Sequence, residues 1–297
     1  VSCSVKHKKT FDYIFNKTEA ITLEQSKLTL SKDITVLSFS DSSMVDRNSS
    51  IIKVDSGWIV YSKNSESSIL SFTSDGQFSG YIGHRGNGPG EYTSVYDVVV
   101  NQKSKVLEVL SDGGIFCYTF GGDFLDKKEV TYPAFSFAID DRQNYWFYVG
   151  NNTTYGDAKM ICTDENIANV AYYLHQKSNM LPMVENNFGR NGEWLTFHES
   201  LNHDLYTIEN GKLDLSYAMD FPNYKLPKKL HELSGMEVIE ELQRSNYASI
   251  INYLENHDYI FLNVLLNNEG ERIPEVYYWI ISKLSLIHIS EPTRLLS

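Results

Sequence analysis

From about Leu28 to Asp220 the chain alternates short apolar runs with polar turns, a cadence that predicts strands. Trp58-Ile-Val-Tyr61 leads to Ser68-Ile-Leu-Ser-Phe72, then to the turn Ser74-Asp-Gly76 and to Phe78-Ser-Gly-Tyr-Ile82. Asp-Gly between two such runs predicts a hairpin, because Gly tolerates positive φ and Asp bonds nearby backbone. The cadence returns in Val106-Leu-Glu-Val-Leu110 and Ile115-Phe-Cys-Tyr-Thr-Phe120, closed by Gly121-Gly-Asp123. Tyr145-Trp-Phe-Tyr-Val149, Trp194-Leu-Thr-Phe197 and Tyr259-Ile-Phe-Leu262 open further units.

With Trp58, Val106, Tyr145, Trp194 and Tyr259 as equivalent positions, the intervals are 48, 39, 49 and 65 residues. The first three suit four-stranded propeller blades, whose repeat runs to roughly 40 to 50 residues. An all-β propeller is therefore expected, with about five blades represented and six in the complete ring. Such blades must stack, since each alone exposes two apolar faces. A strand from Leu28 to Phe39 is expected to complete the last blade. The long final interval holds an insertion. From Pro227 to Asn256, Leu230 and Leu233, then Ile239 and Leu242, then Ile250, Ile251 and Leu254 recur at helical spacing, which predicts a helical segment packed on the propeller surface.

Composition sharpens this. The 20 Tyr and 15 Phe favour pleated structure. A formal charge of −12 repels a phosphate backbone and argues against nucleic acid as a partner. The best apolar cluster, Tyr259 to Leu266, is too short to cross a bilayer. Cys3, Cys117 and Cys162 have no metal-ligand spacing. Cys117 and Cys162 lie in strand-like runs, where an inert buried thiol is the expectation and a disulfide between them the alternative.

Both ends stand apart. Val1-Ser-Cys-Ser4 with the basic Lys6-His-Lys-Lys9 looks like the end of a bacterial lipoprotein signal, which makes Cys3 a lipidation candidate. Leu284 to Arg294 reads codon for codon like a translated transposase adapter from sequencing libraries, so residues 284–297 are set aside as an artefact. The expected organisation is an anchor or linker at 1–27, an incomplete propeller body at 28–283 containing the helical insertion 227–256, and the tail 284–297.

The most specific segment is Tyr81-Ile-Gly-His-Arg-Gly-Asn-Gly-Pro-Gly-Glu-Tyr92. It resembles the G-x-x-G-x-G-P-G-E-Y signature of six-bladed propeller lipoproteins of Bacteroides-type bacteria, related in fold to NHL and TolB-like propellers. The resemblance implies a secreted or membrane-anchored propeller and carries no catalytic residues over. Gly83, Gly86, Gly88 and Gly90 permit backbone shapes closed to other residues, and Pro89 fixes its own φ, so the loop is expected to be compact. Its main expectation is a structural blade connection; His84, Arg85, Glu91 and Tyr92 are the candidate ligand-facing residues. A phosphate cradle is not supported, because Pro89 lacks an N–H and no helix follows.

Other constellations are weaker. His231-Glu-Leu-Ser-Gly235 is half a zinc-protease motif, with Gly at the second ligand position. His198-Glu199 and His203-Asp204 form a cation site only if their strands fold together. Asp140, Asp141 and Arg142 lie at a strand-to-turn junction, and no nucleophile elbow is present. The sequence thus favours a non-catalytic, extracytoplasmic module that binds or scaffolds a glycan, peptide or protein, without cofactor or metal, touching membrane only through the candidate lipid. The alternatives are a carbohydrate-active propeller lyase or hydrolase, and a structural protein using its helical insertion.

Overall fold

The computed structural model describes residues 11–17, 20–21, 34–39, 45, 49–63, 68–152, 156–175, 186–283 and 288–293, with backbone alone at 11–12 and 288–293. After β1 (Phe11–Ile14) come five four-stranded antiparallel meanders. Blade I is β2 (Ser50–Val54), β3 (Gly57–Tyr61), β4 (Ile69–Thr73) and β5 (Phe78–Ile82). A short parallel pair, β6 (His84–Arg85) and β7 (Glu91–Tyr92), leads to blade II: β8 (Asp97–Asn101), β9 (Val106–Ser111), β10 (Gly114–Tyr118) and β11 (Phe124–Lys128). Blade III is β12 (Ser136–Ile139), β13 (Tyr145–Tyr148), β14 (Ala158–Thr163) and β15 (Ala171–His175). Blade IV is β16 (Phe188–Asn191), β17 (Trp194–His198), β18 (Asp204–Glu209) and β19 (Lys212–Asp220). Blade V is β20 (Tyr247–Glu255), β21 (Tyr259–Asn267), β22 (Glu275–Ser282) and β23 (His288–Thr293).

The chain is thus an all-β propeller with four-stranded blades, as the repeat predicts. The five positions read as equivalent, Trp58, Val106, Tyr145, Trp194 and Tyr259, each open or head the second strand of a blade. Apolar clusters join blades I and II, II and III, III and IV, and IV and V. β13 is buried at all four positions because neighbouring blades cover both its faces. The outer strand β11, by contrast, is mostly exposed and carries Asp126, Lys127 and Lys128, charges that blunt an edge.

Each of these four interfaces also holds a buried carboxylate bound by a lysine and by a tyrosine across the seam. Tyr61 and Lys63 of blade I meet Asp97 of blade II at 3.4 and 2.9 Å. Glu108 of blade II takes Lys128 at 3.2 Å and Tyr145 of blade III at 2.8 Å. Glu199, just past β17, takes Lys159 and Tyr148 of blade III at 2.9 and 2.7 Å. Glu255 of blade V takes Lys283 at 2.6 Å and Tyr217 of blade IV at 3.1 Å. A charge so buried persists only when its lone pairs are filled, and here the partners fill them.

Three boundaries depart from the sequence expectation. Residues 1–27 are not all linker: β1 pairs in parallel with β19 as a fifth strand of blade IV, and Tyr13 and Phe15 enter the core between blades IV and V. The Leu28–Phe39 closing strand is not seen among the described residues. Its described part, 34–39, lies on blade I, where Ser38 bridges Gln77 and Phe39 packs edge-on against Phe72 at 5.1 Å. The helical insertion is also shorter than 227–256. It comprises a 3-10 turn, Leu230–Glu232, and α1 (Met236–Gln243), whose Val238 and Leu242 pack with Leu201 of blade IV. Residues 247–255 are instead the innermost strand of blade V, with a bulge between Ile250 and Asn252. The bulge inserts Ile251 and shifts the buried face from Ala248 and Ile250 to Tyr253 and Glu255, which imitates helical spacing.

His288–Thr293, inside the segment set aside as an artefact, pairs with β22 through backbone groups that any extended peptide offers. Cys3 lies outside the described residues.

Candidate functional site

The innermost strands β2, β8, β12, β16 and β20 together wall a central cavity of about 700 Å³. It opens toward the ends of these strands into a second cavity of about 860 Å³, and Val100, Ile139, Arg190 and Leu195 border both. We call the end where the innermost strands begin the upper mouth. There Asp97 accepts from Lys63, from the amides of Val98 and Phe137 at 3.0 and 3.1 Å, and from Tyr61, so it ties three blades together. Burial and the Asp97 charge raise the Tyr61 phenol well above its usual range, which keeps it a donor.

The lower cavity carries Asp140, Asp141, Glu193 and Glu209 against Lys103 and Arg190, with Trp194 and His257 beside them. Asp140 is committed to its own turn. Its carboxylate accepts from the amides of Arg142 and Asn144 at 2.9 Å each, and from Asn144 Nδ2 and Trp146 Nε1 at 2.9 and 3.0 Å. Arg190 is surrounded by protein on most sides yet reached by solvent, as suits a side chain lining a channel. Burial lowers its pKa, opposed by Asp140 and Asp141.

The glycine-proline loop lies elsewhere, between β5 and β8, packed on the outer half of blade II. Tyr92 is buried, accepts from the Ile69 amide at 3.2 Å and donates to the Ile82 carbonyl at 3.2 Å. Its hydroxyl is thus used within the blade. Glu91 accepts from the Gly88 amide at 2.8 Å, and Arg85 Nε donates to the Thr93 carbonyl at 2.8 Å. His84 and Arg85 are exposed. Gly83 and Gly90 adopt φ of 62° and 74°, and a Cβ on either would strike the ring of Tyr118 or Phe124 at 2.6 or 2.5 Å. Tyr118 closes the loop by donating to the Gly90 carbonyl at 3.0 Å. These contacts are those of a connection between blades I and II.

The other sequence candidates do not converge. His198 is buried, while Glu199 is bound by Lys159, and His203 Nε2 lies 3.1 Å from the Ala248 carbonyl. Among the described residues no group of three or more His, Cys, Asp or Glu side chains is placed to hold a metal. His231 sits exposed in the 3-10 turn. Cys117 and Cys162 are buried and free, so the disulfide alternative is excluded. Of the residues lining the two cavities, Asp140, Asp141 and Trp194 were singled out in the sequence, as a turn and as the start of a repeat; for the rest the available signal was the first strand of each repeat, which begins six to twelve residues before its apolar second strand.

Fold and channel together define a β-propeller with a ligand-sized axial cavity. The chain belongs to the family described as domain of unknown function DUF4934, which matches residues 6–285. Its structure is similar to that of a candidate exported protein from Bacteroides fragilis NCTC 9343, with TM-score 0.74 and 14% identity over 95% of this chain and 79% of the other. It is also similar to a member of the DUF4221 family from Bacteroides vulgatus, with TM-score 0.53 and 11% identity over 84% of each chain. Comparison with curated proteins gives no match.

Proposed function

We propose that this chain is an extracytoplasmic, non-catalytic binding module that seats part of a glycan, peptide or protein in its axial channel. The observation that carries the reading is the cavity of about 700 Å³ walled by all five innermost strands, a size typical of small-molecule sites. The buried carboxylates Asp97 and Asp140 are saturated with hydrogen bonds, which favours binding over proton transfer. The likeness to a candidate exported protein supports the location. Cys3 is the residue we assign to a lipid anchor.

We read the complete ring as six-bladed. Apolar clusters join four successive blade pairs, and among the described residues none joins blade V to blade I. The Bacteroides fragilis relative also extends beyond the matched part.

The test is retention of glycans and peptides from mixed libraries by the protein and by Ile51→Trp and Asn252→Trp, which fill the channel from β2 and β20. Retention abolished by both variants, in protein that still melts cooperatively, is expected. Retention unaffected by either removes the channel from the reading. The enzyme reading draws on Asp141, Glu193 and Glu209, which share the lower cavity with Trp194. Sugar cleavage lost in Asp141→Asn or Glu193→Gln would establish it.

A further inference from the structure

The charge of the central cavity runs opposite to that of the chain. In a protein of formal charge −12, the charged side chains lining the central cavity are Lys53, Lys63 and Arg190 against Asp97 alone. Lys63 and Asp97 neutralise each other at 2.9 Å. Among the described residues, neither Lys53 nor Arg190 has a carboxylate within ion-pair distance. The Lys53 ammonium lies over the Trp58 ring, 5.3 Å from its centroid. Arg190 donates one N–H to the Ile139 carbonyl, and the rest of its fork carries no other hydrogen bond among the described residues. It stands where the two cavities join.

Arg190 and Lys53 are both exposed to the channel water, and Asp140 and Asp141 act on Arg190 only from beyond ion-pair distance, so an anion entering the cavity meets two cations that no carboxylate holds. Building on the channel reading above, the geometry points to a site for a small organic carboxylate, received by the fork of Arg190 with Lys53 as the second charge. The planar fork matches a carboxylate bidentately. The exposed Ile51 and the half-buried Phe188 offer apolar surface, and Asn252 and Gln102 offer amide partners, so the body of the ligand is a sugar ring or an amino-acid side chain. The lower mouth carries Asp141, Glu193 and Glu209, which repel an incoming anion, so loading proceeds from the upper mouth. A doubly charged phosphate feels this repulsion more strongly.

The experiment compares matched acids and amides on the full chain at low salt by calorimetry and thermal shift: glucuronate against glucuronamide, and N-acetyl-leucine against N-acetyl-leucinamide, with inorganic phosphate as a further arm. One acid is expected to bind at least about tenfold more tightly than its amide, the worth of one charged hydrogen-bonded pair. The pair that discriminates identifies a sugar or an amino-acid source. The preference is expected to vanish in Arg190→Gln, to weaken in Lys53→Gln, an exposed position, and to fall with added salt. Equal binding of acid and amide, equal binding of phosphate, a preference that survives both substitutions, or no binding by any of the four compounds overturns the carboxylate site. None of these outcomes decides the wider channel reading, which rests on the Ile51→Trp and Asn252→Trp variants.

Discussion

Lys159 and Glu199 meet at 2.9 Å with side chains only 4% and 8% exposed, one on β14 of blade III and the other just past β17 of blade IV. Tyr148 and Asn202 bring further hydrogens to the same carboxylate at 2.7 and 3.2 Å. Removing one member of such a pair strands a buried charge, whereas removing both does not. Lys159→Met and Glu199→Leu are each expected to lower stability by about 3–5 kcal/mol. The double variant is expected to lose less than the two single losses combined. Denaturant melts of the four proteins measure the coupling, and additive losses would contradict the pairing.

The glycine-proline loop gives a second prediction. Gly90→Ala places a methyl group against the Phe124 ring at a φ of 74°, and is expected to cost roughly 1–3 kcal/mol. Tyr118→Phe, which removes the bond to the Gly90 carbonyl, is expected to cost about 1 kcal/mol. His84→Ala, at an exposed position, is expected to change stability by less than about 0.5 kcal/mol. A thermal melt that ranks His84→Ala with Gly90→Ala would show that the loop is held differently.

What could be read in the sequence follows from burial geometry. The second strand of each blade is enclosed between neighbours, so Tyr145-Trp-Phe-Tyr148 shows as an unbroken apolar run and its repeat fixes the fold. Two of the innermost strands, β2 and β16, carry exposed residues, whereas β12 is buried throughout. Ser50 to Val54 and Phe188 to Asn191 therefore have mixed composition and no signal above their surroundings. β20 was hidden further by the bulge at Ile251. The Lys–carboxylate–Tyr clusters were invisible for a different reason: each joins residues from separate turns of the repeat, and no local spacing reports which tyrosine crosses a seam. Tyr13 and Phe15 did alternate inward, yet a short strand beside basic residues reads equally well as a linker.

Cys117 and Cys162 yield a chemical prediction. Burial pushes both thiols up to about 12, helped by the Glu108 charge for Cys117 and by Asp140 for Cys162. The thiolate is the reactive species, so neither residue is expected to react with an aromatic disulfide reagent at pH 8 in the native state. In a Cys3→Ser background, labelling is expected to follow global unfolding and to yield two equivalents in denaturant. Immediate labelling of either thiol without denaturant would contradict the burial.

His198 sets the acid limit of the ring. It lies buried at the end of β17, edge-on to Tyr253 with ring centroids 6.5 Å apart, and among the described residues neither ring nitrogen has a hydrogen-bond partner. Burial lowers its pKa from 6.5 to about 4, against the opposing pull of neighbouring carbonyls and Glu199. Burial lowers His203 as well. A depressed histidine means that the unfolded chain binds a proton which the native one refuses. Stability is therefore fully present above the unfolded value of 6.5 and declines as pH falls toward about 4, by about 3 kcal/mol for His198. The informative quantity is the difference between wild type and His198→Asn. Urea melts between pH 7.5 and pH 4 are expected to show a shallower acid decline in the variant, whatever its stability at neutral pH. Parallel pH profiles for the two proteins would mean that His198 takes up its proton without leaving the native state.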